Sequence, residues 1–184
     1  MATINDIEGI YKTNFTGAIS SISYCSKDKS GDILVKDSSE CINYDDVKDN
    51  GKFNLCSVDA LYFNINKKCL YFIEFKNRDI SSIWWGEIFD NSKRSAEASI
   101  LLHDYIEYKY GVIADNDIKK VFVLVSSKTK SATYFSKVAR CRMTGTETHE
   151  TNLLQNALYN RNAFGKLFDD VQIVSDQDFK SFVL

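Results

Sequence analysis

The chain contains no proline. The breaks between its elements therefore fall to glycine and to clusters of Asn, Asp and Ser. Cysteine is present but unpatterned. Cys25, Cys41, Cys56, Cys69 and Cys141 are odd in number and include no CxxC spacing. That argues against a zinc site and against a secreted disulfide framework, and free thiols fit a reducing cytoplasm. No charge sign dominates. The formal net charge of −2 provides no global positive field, so a nucleic-acid partner would need a local basic groove. No apolar run approaches a membrane span. The opening "MATINDIEGI" has no basic region leading into an apolar one. The expected compartment is the cytoplasm. No GxxxxGK[ST] loop is present, and neither His103 nor His149 has a partner at HExxH spacing.

What is there suits one domain over residues 1–184. Apolar residues make up 44% and charged residues 26%, enough for a sizeable core. "TINDIEGIYKTNF" predicts a first helix with Thr3 or Asn5 as N-cap, since Ile4, Ile7, Tyr11 and Phe15 recur at helical spacing. Glu8 falls within that apolar stripe, where a carboxylate is unusual. "SISYCSKDKSGDILVKD" reads as strand, turn and strand, with "KDKSGD" as the turn. "SSECINYDDVKDNGKFN" is polar and reads as a loop. A long helix is expected over Gly86 to Tyr110, with Gly111 as its stop. "KKVFVLVSS" reads as a buried strand. "SATYFSKVARCRM" and "HETNLLQNALYNRNAFGKLF" read as helices, and "VQIV" as a last strand before a short helical "SDQDFKSFV".

The chemistry concentrates between Val58 and Asn77, "VDALYFNINKKCLYFIEFKN". A two-residue turn at Asn66-Lys67 sets Phe63 opposite Leu70 and Leu61 opposite Phe72. The same register sets Asp59 opposite Glu74, and a strand period of two brings Lys76 to that face. A slip of one residue would destroy the apolar pairs and the charged cluster together. Two opposed carboxylates repel, so one tends to keep its proton. A Mg²⁺ ion, which favours carboxylate, water and phosphate oxygens, removes the conflict. Two readings stay open on these charges alone: a structural Asp–Lys–Glu network at a sheet end, and a metal site for a phosphate ester. The [DE]-x-K pattern recurs at Asp46, Glu107, Asp117 and Asp178. Only Glu74-Phe75-Lys76 ends an apolar strand whose hairpin partner carries an aspartate.

Asp59 followed by Glu74-Phe75-Lys76 on the next strand resembles the PD-(D/E)XK nuclease superfamily. The resemblance covers roughly the first two thirds of the chain. One departure is Val58 in place of the pattern's proline, which many members lack. The resemblance implies an α/β fold: a restriction-endonuclease-like core of helix, three strands, helix and strand. Its mixed central sheet is flanked by helices, and further helices lie towards the C-terminus. It implies Mg²⁺, with Mn²⁺ able to substitute, held by Asp59, Glu74 and the Phe75 carbonyl. Lys76 would orient or deprotonate the attacking water. Glu8 is the candidate for the acidic residue that many members add from the first helix. The implied activity is endonucleolytic hydrolysis of nucleic acid, DNA before RNA, with a homodimer suited to cutting both strands of a duplex. A nuclease-like fold that only binds protein or nucleic acid is the alternative.

Other features have two readings each. Lys93 and Arg94 on the long helix offer phosphate contacts, or a solvated face. Lys128 and Lys130 open the most basic segment, where Lys137, Arg140 and Arg142 interleave with Tyr134 and Phe135. That pattern suits backbone contacts and base stacking, or an ordinary amphipathic helix. Trp84-Trp85 offers a stacking platform or a core anchor. His103 reads as a satisfied core residue.

Overall fold

The computed structural model describes residues 1–159 and 167–184, with residues 82–84 and 159 in backbone only. Helix α1, Ile4–Asn14, starts where Thr3 and Asp6 cap each other: the Asp6 N–H donates to Thr3 Oγ1, and the Thr3 N–H to Asp6 Oδ2. It buries Ile4, Ile7 and Tyr11. Then follow β1 (Ile19–Ser21), α2 (Ile22–Cys25), β2 (Glu40–Asn43), α3 (Tyr44–Asn50), β3 (Ala60–Asn64), β4 (Cys69–Lys76) and α4 (Ser82–Lys109). The remainder is β5 (Lys119–Ser126), α5 (Ala132–Thr144), α6 (His149–Tyr159), β6 (Asp170–Ser175) and α7 (Phe179–Val183).

The fold is α/β around one mixed open sheet of six strands in the order β1-β2-β3-β4-β5-β6. β1 through β4 pair antiparallel, whereas β5 and β6 continue parallel to β4. Residues 77–118, most of them in α4, make the first parallel connection, as the parallel register requires. Phe63 pairs with Leu70 and Leu61 with Phe72, and the Asn66-Lys67 turn closes with the Lys68 N–H on Ile65 O at 3.2 Å.

Both sheet faces are covered. Leu61, Phe63, Leu70 and Phe72 face a larger core built with α1, α3, α4 and α6. Tyr71, Ile73 and Phe75 face a smaller one closed by α2 and α7. This is why β4 is apolar on both sides until its final charged residues.

Two expectations fail. Neither strand expected around the turn forms: Ser21 Oγ accepts the Tyr24 N–H and turns the chain into the short helix α2, burying Ile22, and beyond the turn Ile33 makes only an isolated bridge. The "KDKSGD" turn does form, with Gly31 at φ +95 and a bridge between Lys27 and Ile33. The expected polar loop holds β2 and α3. Asn43 Oδ1 caps the Asp45 N–H, and Tyr44 and Val47 go fully into the core. The long helix begins at Ser82, ahead of the expected Gly86, and Gly111 follows it at φ +67. Of the expected helix "HETNLLQNALYNRNAFGKLF", residues 160–166 lie outside the described residues. Among the described residues no helix is long and apolar enough to cross a membrane.

Candidate functional site

The register of β3 and β4 ends with Ala60 opposite Ile73. The Asp59 N–H also reaches Ile73 O, at 3.0 Å and one residue out of that register, which leaves Asp59 close enough to Glu74 for its charge to act there. The flanking backbone is fixed from two sides. Val58 N–H donates to Ser99 Oγ on α4 at 2.8 Å, and Tyr44 N–H donates to Asp59 O at 3.3 Å. α4 presents the small buried side chains of Ser92, Ser95, Ala96 and Ser99.

Asp59 uses one carboxylate oxygen on the Phe75 N–H at 2.6 Å, and the residue is mostly covered, with an edge left at the cleft. Glu74 is 3% exposed. Its Oε1 pairs with Lys76 Nζ, and its Oε2 is buried with no hydrogen-bond partner among the described residues. Burial pushes the Glu74 carboxyl up to about 8, with the Asp59 charge adding to the rise and Lys76 opposing it. Burial likewise raises Asp59 to about 6, against Lys76 and the Phe75 N–H. The metal-free site thus tends to keep a proton on Glu74, and the Lys76 contact does not outweigh desolvation.

An open cleft of about 750 Å³ lies over this cluster, bordered by Asp45, Asp59, Phe75, Lys76, Arg78 and the turn at residues 26–30. Asp45 is a residue that sequence reasoning missed. Its charge adds to the upward pressure on both Asp59 and Glu74. It sits in the first turn of α3, held by Ser57 Oγ and Lys48 Nζ. The usable signal was Asn43 ahead of an acidic pair, a helix start inside an apparently featureless loop. The donor set suits a hard cation: a buried unpartnered oxygen on Glu74, the open side of Asp59 and the adjacent Phe75 carbonyl are all oxygens.

The structure does not bring Glu8 to this cluster. Its carboxylate pairs with Lys12 Nζ at 3.0 Å, and Lys12 also reaches Glu40 at 2.6 Å. Glu40 opens β2, whereas Asn43, at the other end of that strand, borders the Asp59 side. Lys93 and Arg94 do not border the cleft either. The Arg94 guanidinium donates to Asn91 Oδ1 and Asp90 O along its own helix. Lys130 does stand at the margin, with Nζ donating to Asn77 O at 3.0 Å. The Lys128 N–H is tied to Asp176 Oδ1 at 2.7 Å.

Tyr134 is no stacking platform. It is buried and its hydroxyl meets Thr148 and Thr151 at 3.1 Å. Trp85 is buried against Phe89, while the Trp84 side chain lies outside the described residues. His103 is a core residue, with Nδ1 at 2.8 Å from Tyr11 OH. His103, Asp104 and Glu107 form another group with metal-like spacing. Lys120 Nζ already lies 2.8 Å from Asp104 and 3.8 Å from Glu107, so an ammonium fills the role an ion would take. No family model, curated protein or solved structure matches the chain.

Proposed function

We propose that this cleft is a Mg²⁺-dependent phosphodiesterase site of the PD-(D/E)XK type, acting as an endonuclease on nucleic acid, DNA in the first instance. The observation that carries the reading is the buried, unpartnered Oε2 of Glu74, set beside a second carboxylate and an ammonium under one open cleft. Glu150 Oε2, in the Lys137 pair, is also buried with no hydrogen-bond partner among the described residues, so what sets Glu74 apart is its place beside Asp59 and Lys76, which border the cleft. Supporting it, once β1, α2 and α3 are set aside as additions, is the element order α1, then the antiparallel β2, β3 and β4, then α4, then the parallel β5. That is the order of the superfamily's core.

Asp59 and Glu74, with the Phe75 carbonyl, would hold the cation. Bound Mg²⁺, or Mn²⁺ in its place, supplies a Lewis acid and lowers the pKa of coordinated water. Lys76 holds a fixed positive charge where negative charge develops on the phosphate. Lys76, now paired with Glu74, would be the ammonium available to the attacking water if Glu74 held a cation instead. Hydrolysis in this scheme needs no covalent intermediate with the chain.

Melting with and without millimolar Mg²⁺ or Mn²⁺, beside cleavage of plasmid, linear duplex and RNA, tests the proposal. Wild type should melt higher with metal and cut at least one polynucleotide, and Asp59→Asn should do neither. A wild-type protein indifferent to both metals would leave the second reading, a binding module. The Lys76–Glu74 pair favours that reading, because it already gives Glu74 a cationic partner.

A further inference from the structure

The chemistry assigned to the cleft leaves the turn Lys27–Asp32 unused. Asp28 builds it. Its Oδ1 accepts the Ser30 N–H at 2.9 Å, the Ser30 hydroxyl at 2.6 Å and the Asp32 N–H at 3.0 Å. Gly31, at φ +95, makes the reversal that a side chain would strain. The other oxygen of Asp28 accepts Asn77 Nδ2 at 2.9 Å. These donors, the Ser30 hydroxyl first, hold the Asp28 carboxyl down to about 2. Asn77 directly follows Lys76, and its carbonyl receives Lys130. The turn is therefore latched to the backbone beside the reacting centre.

Lys27 and Lys29 flank Asp28, are exposed, and border the cleft together with Lys76 and Arg78. Among the described residues neither Lys27 nor Lys29 has a carboxylate within ion-pair distance. Lys12, Lys48, Lys120, Lys137 and Lys180 all do. Asp28, Asp45 and Asp59 border the cleft too, but Lys76 and Arg78 are already paired with Glu74 and Glu87, which leaves Lys27 and Lys29 as the cations at its mouth that hold no ion pair among the described residues. From this arrangement we infer that the Lys27–Asp32 turn is a phosphate clamp, with Lys27 and Lys29 gripping backbone phosphates that flank the one at Asp59 and Glu74. Asp28 and Asn77 are positioning residues that fix where the two ammonium groups stand. The inference rests on the nucleic-acid reading of the cleft but not on cleavage.

The test is fluorescence anisotropy of a labelled oligonucleotide, duplex and single-stranded, with the full chain in EDTA from 50 to 200 mM salt. Wild type should bind at least as well as an ordinary non-specific nucleic-acid binder, with Kd of ~100 μM or below. The Lys27→Gln/Lys29→Gln variant should bind about tenfold or more weakly at 0.1 M salt. Its log–log salt slope should be shallower by about 1.4 to 1.8, the counterions of two phosphate contacts. Lys109→Gln/Lys119→Gln removes the same charge away from the cleft and should stay within about twofold. Asn77→Ala keeps both lysines and should weaken binding severalfold at unchanged melting temperature. Wild type that binds no oligonucleotide, or a Lys27/Lys29 variant with wild-type affinity and slope, overturns the clamp. Wild type that binds through these lysines yet never cuts with Mg²⁺ overturns the nuclease proposal and leaves the clamp standing.

Discussion

The Asp59 carboxylate accepts the peptide N–H of Phe75 at 2.6 Å. One oxygen thus supplies the acceptor where the backbone ladder of β3 has stopped, and the other remains for the cleft. The residue has a structural and a chemical role, and two substitutions separate them. Asp59→Asn keeps a carbonyl oxygen for the Phe75 N–H and removes the charge that raises Glu74. Its metal-free melting temperature should equal or exceed that of wild type. Asp59→Ala leaves a buried N–H without a partner and should lose about 1–3 kcal/mol in urea denaturation. Both should lose the Mg²⁺-induced rise, which for one site follows RT ln(1 + [Mg²⁺]/Kd). An undiminished rise in Asp59→Asn would remove this residue from the cation's ligands.

Glu74 makes the metal-free protein sensitive to base. Its carboxyl titrates at 4.5 when unfolded and at about 8 in the fold, burial being the first cause. Between those values the folded state binds more protons than the unfolded one, so stability falls as pH rises. Asp59 acts in the same sense from 3.8 to about 6. Each tenfold change in acidity is worth about 1.4 kcal/mol. Thermal melts in EDTA should therefore decline from pH 5 to pH 8, and Glu74→Gln should flatten most of the decline above pH 6. With Mg²⁺ the wild-type decline should shrink, because the ion takes the place of the proton. A melting temperature that rises across this range in EDTA would contradict the assigned burial.

Lys76 should separate binding from turnover. Replacing it with methionine keeps the aliphatic stem and removes the positive charge. Mg²⁺ should still raise the melting temperature, because both carboxylates remain. Cleavage should fall by about 10²–10³-fold, the usual loss for one preorganised charge at a reacting centre. Stopped assays on plasmid under saturating Mg²⁺ provide the comparison. Cleavage within threefold of wild type would strip Lys76 of a role in the reaction.

Glu8 shows where sequence stops being informative. Helical periodicity correctly sets Ile4, Ile7, Tyr11 and Phe15 inward and leaves Glu8 partly covered. Periodicity fixes the face of a helix but says nothing of which end of a sheet that face crosses, and here Lys12, shared with Glu40, receives the carboxylate. The hairpin was legible for the opposite reason. Its alternation encodes the pairing as well as the facing, so Phe63–Leu70 and Leu61–Phe72 bring together the strand ends that carry Asp59 and Glu74. Helix α3 was hidden because Tyr44 and Val47 are the only residues it buries, too few to print a period. Glu8→Gln should accordingly keep cleavage within about twofold of wild type, whereas a tenfold loss would bring the first helix back into the site.

Behind the site, Tyr11 OH lies 2.8 Å from His103 Nδ1 and 3.3 Å from Tyr44 OH. Tyr44 donates onward to Ser99 O at 3.1 Å, and Ser99 Oγ receives the Val58 N–H next to Asp59. His103 Nε2 lies 3.1 Å from Glu107 Oε1, off hydrogen-bond alignment, and an Nδ1 that accepts the hydrogen bond of the Tyr11 hydroxyl leaves the ring proton on Nε2. Burial holds the His103 pKa below 6.5 despite Glu107. The folded state therefore binds fewer protons than the unfolded one as pH falls below 6.5, and this group's contribution to stability is lost on acidification. Tyr11→Phe keeps the ring packing and leaves Nδ1 buried without a donor. It should cost about 1–3 kcal/mol in urea denaturation at pH 7. Tyr44→Phe, which frees a carbonyl with a second lone pair to satisfy, should cost less. Equal or reversed losses would show that the imidazole carries its proton on Nδ1 and takes its support from elsewhere.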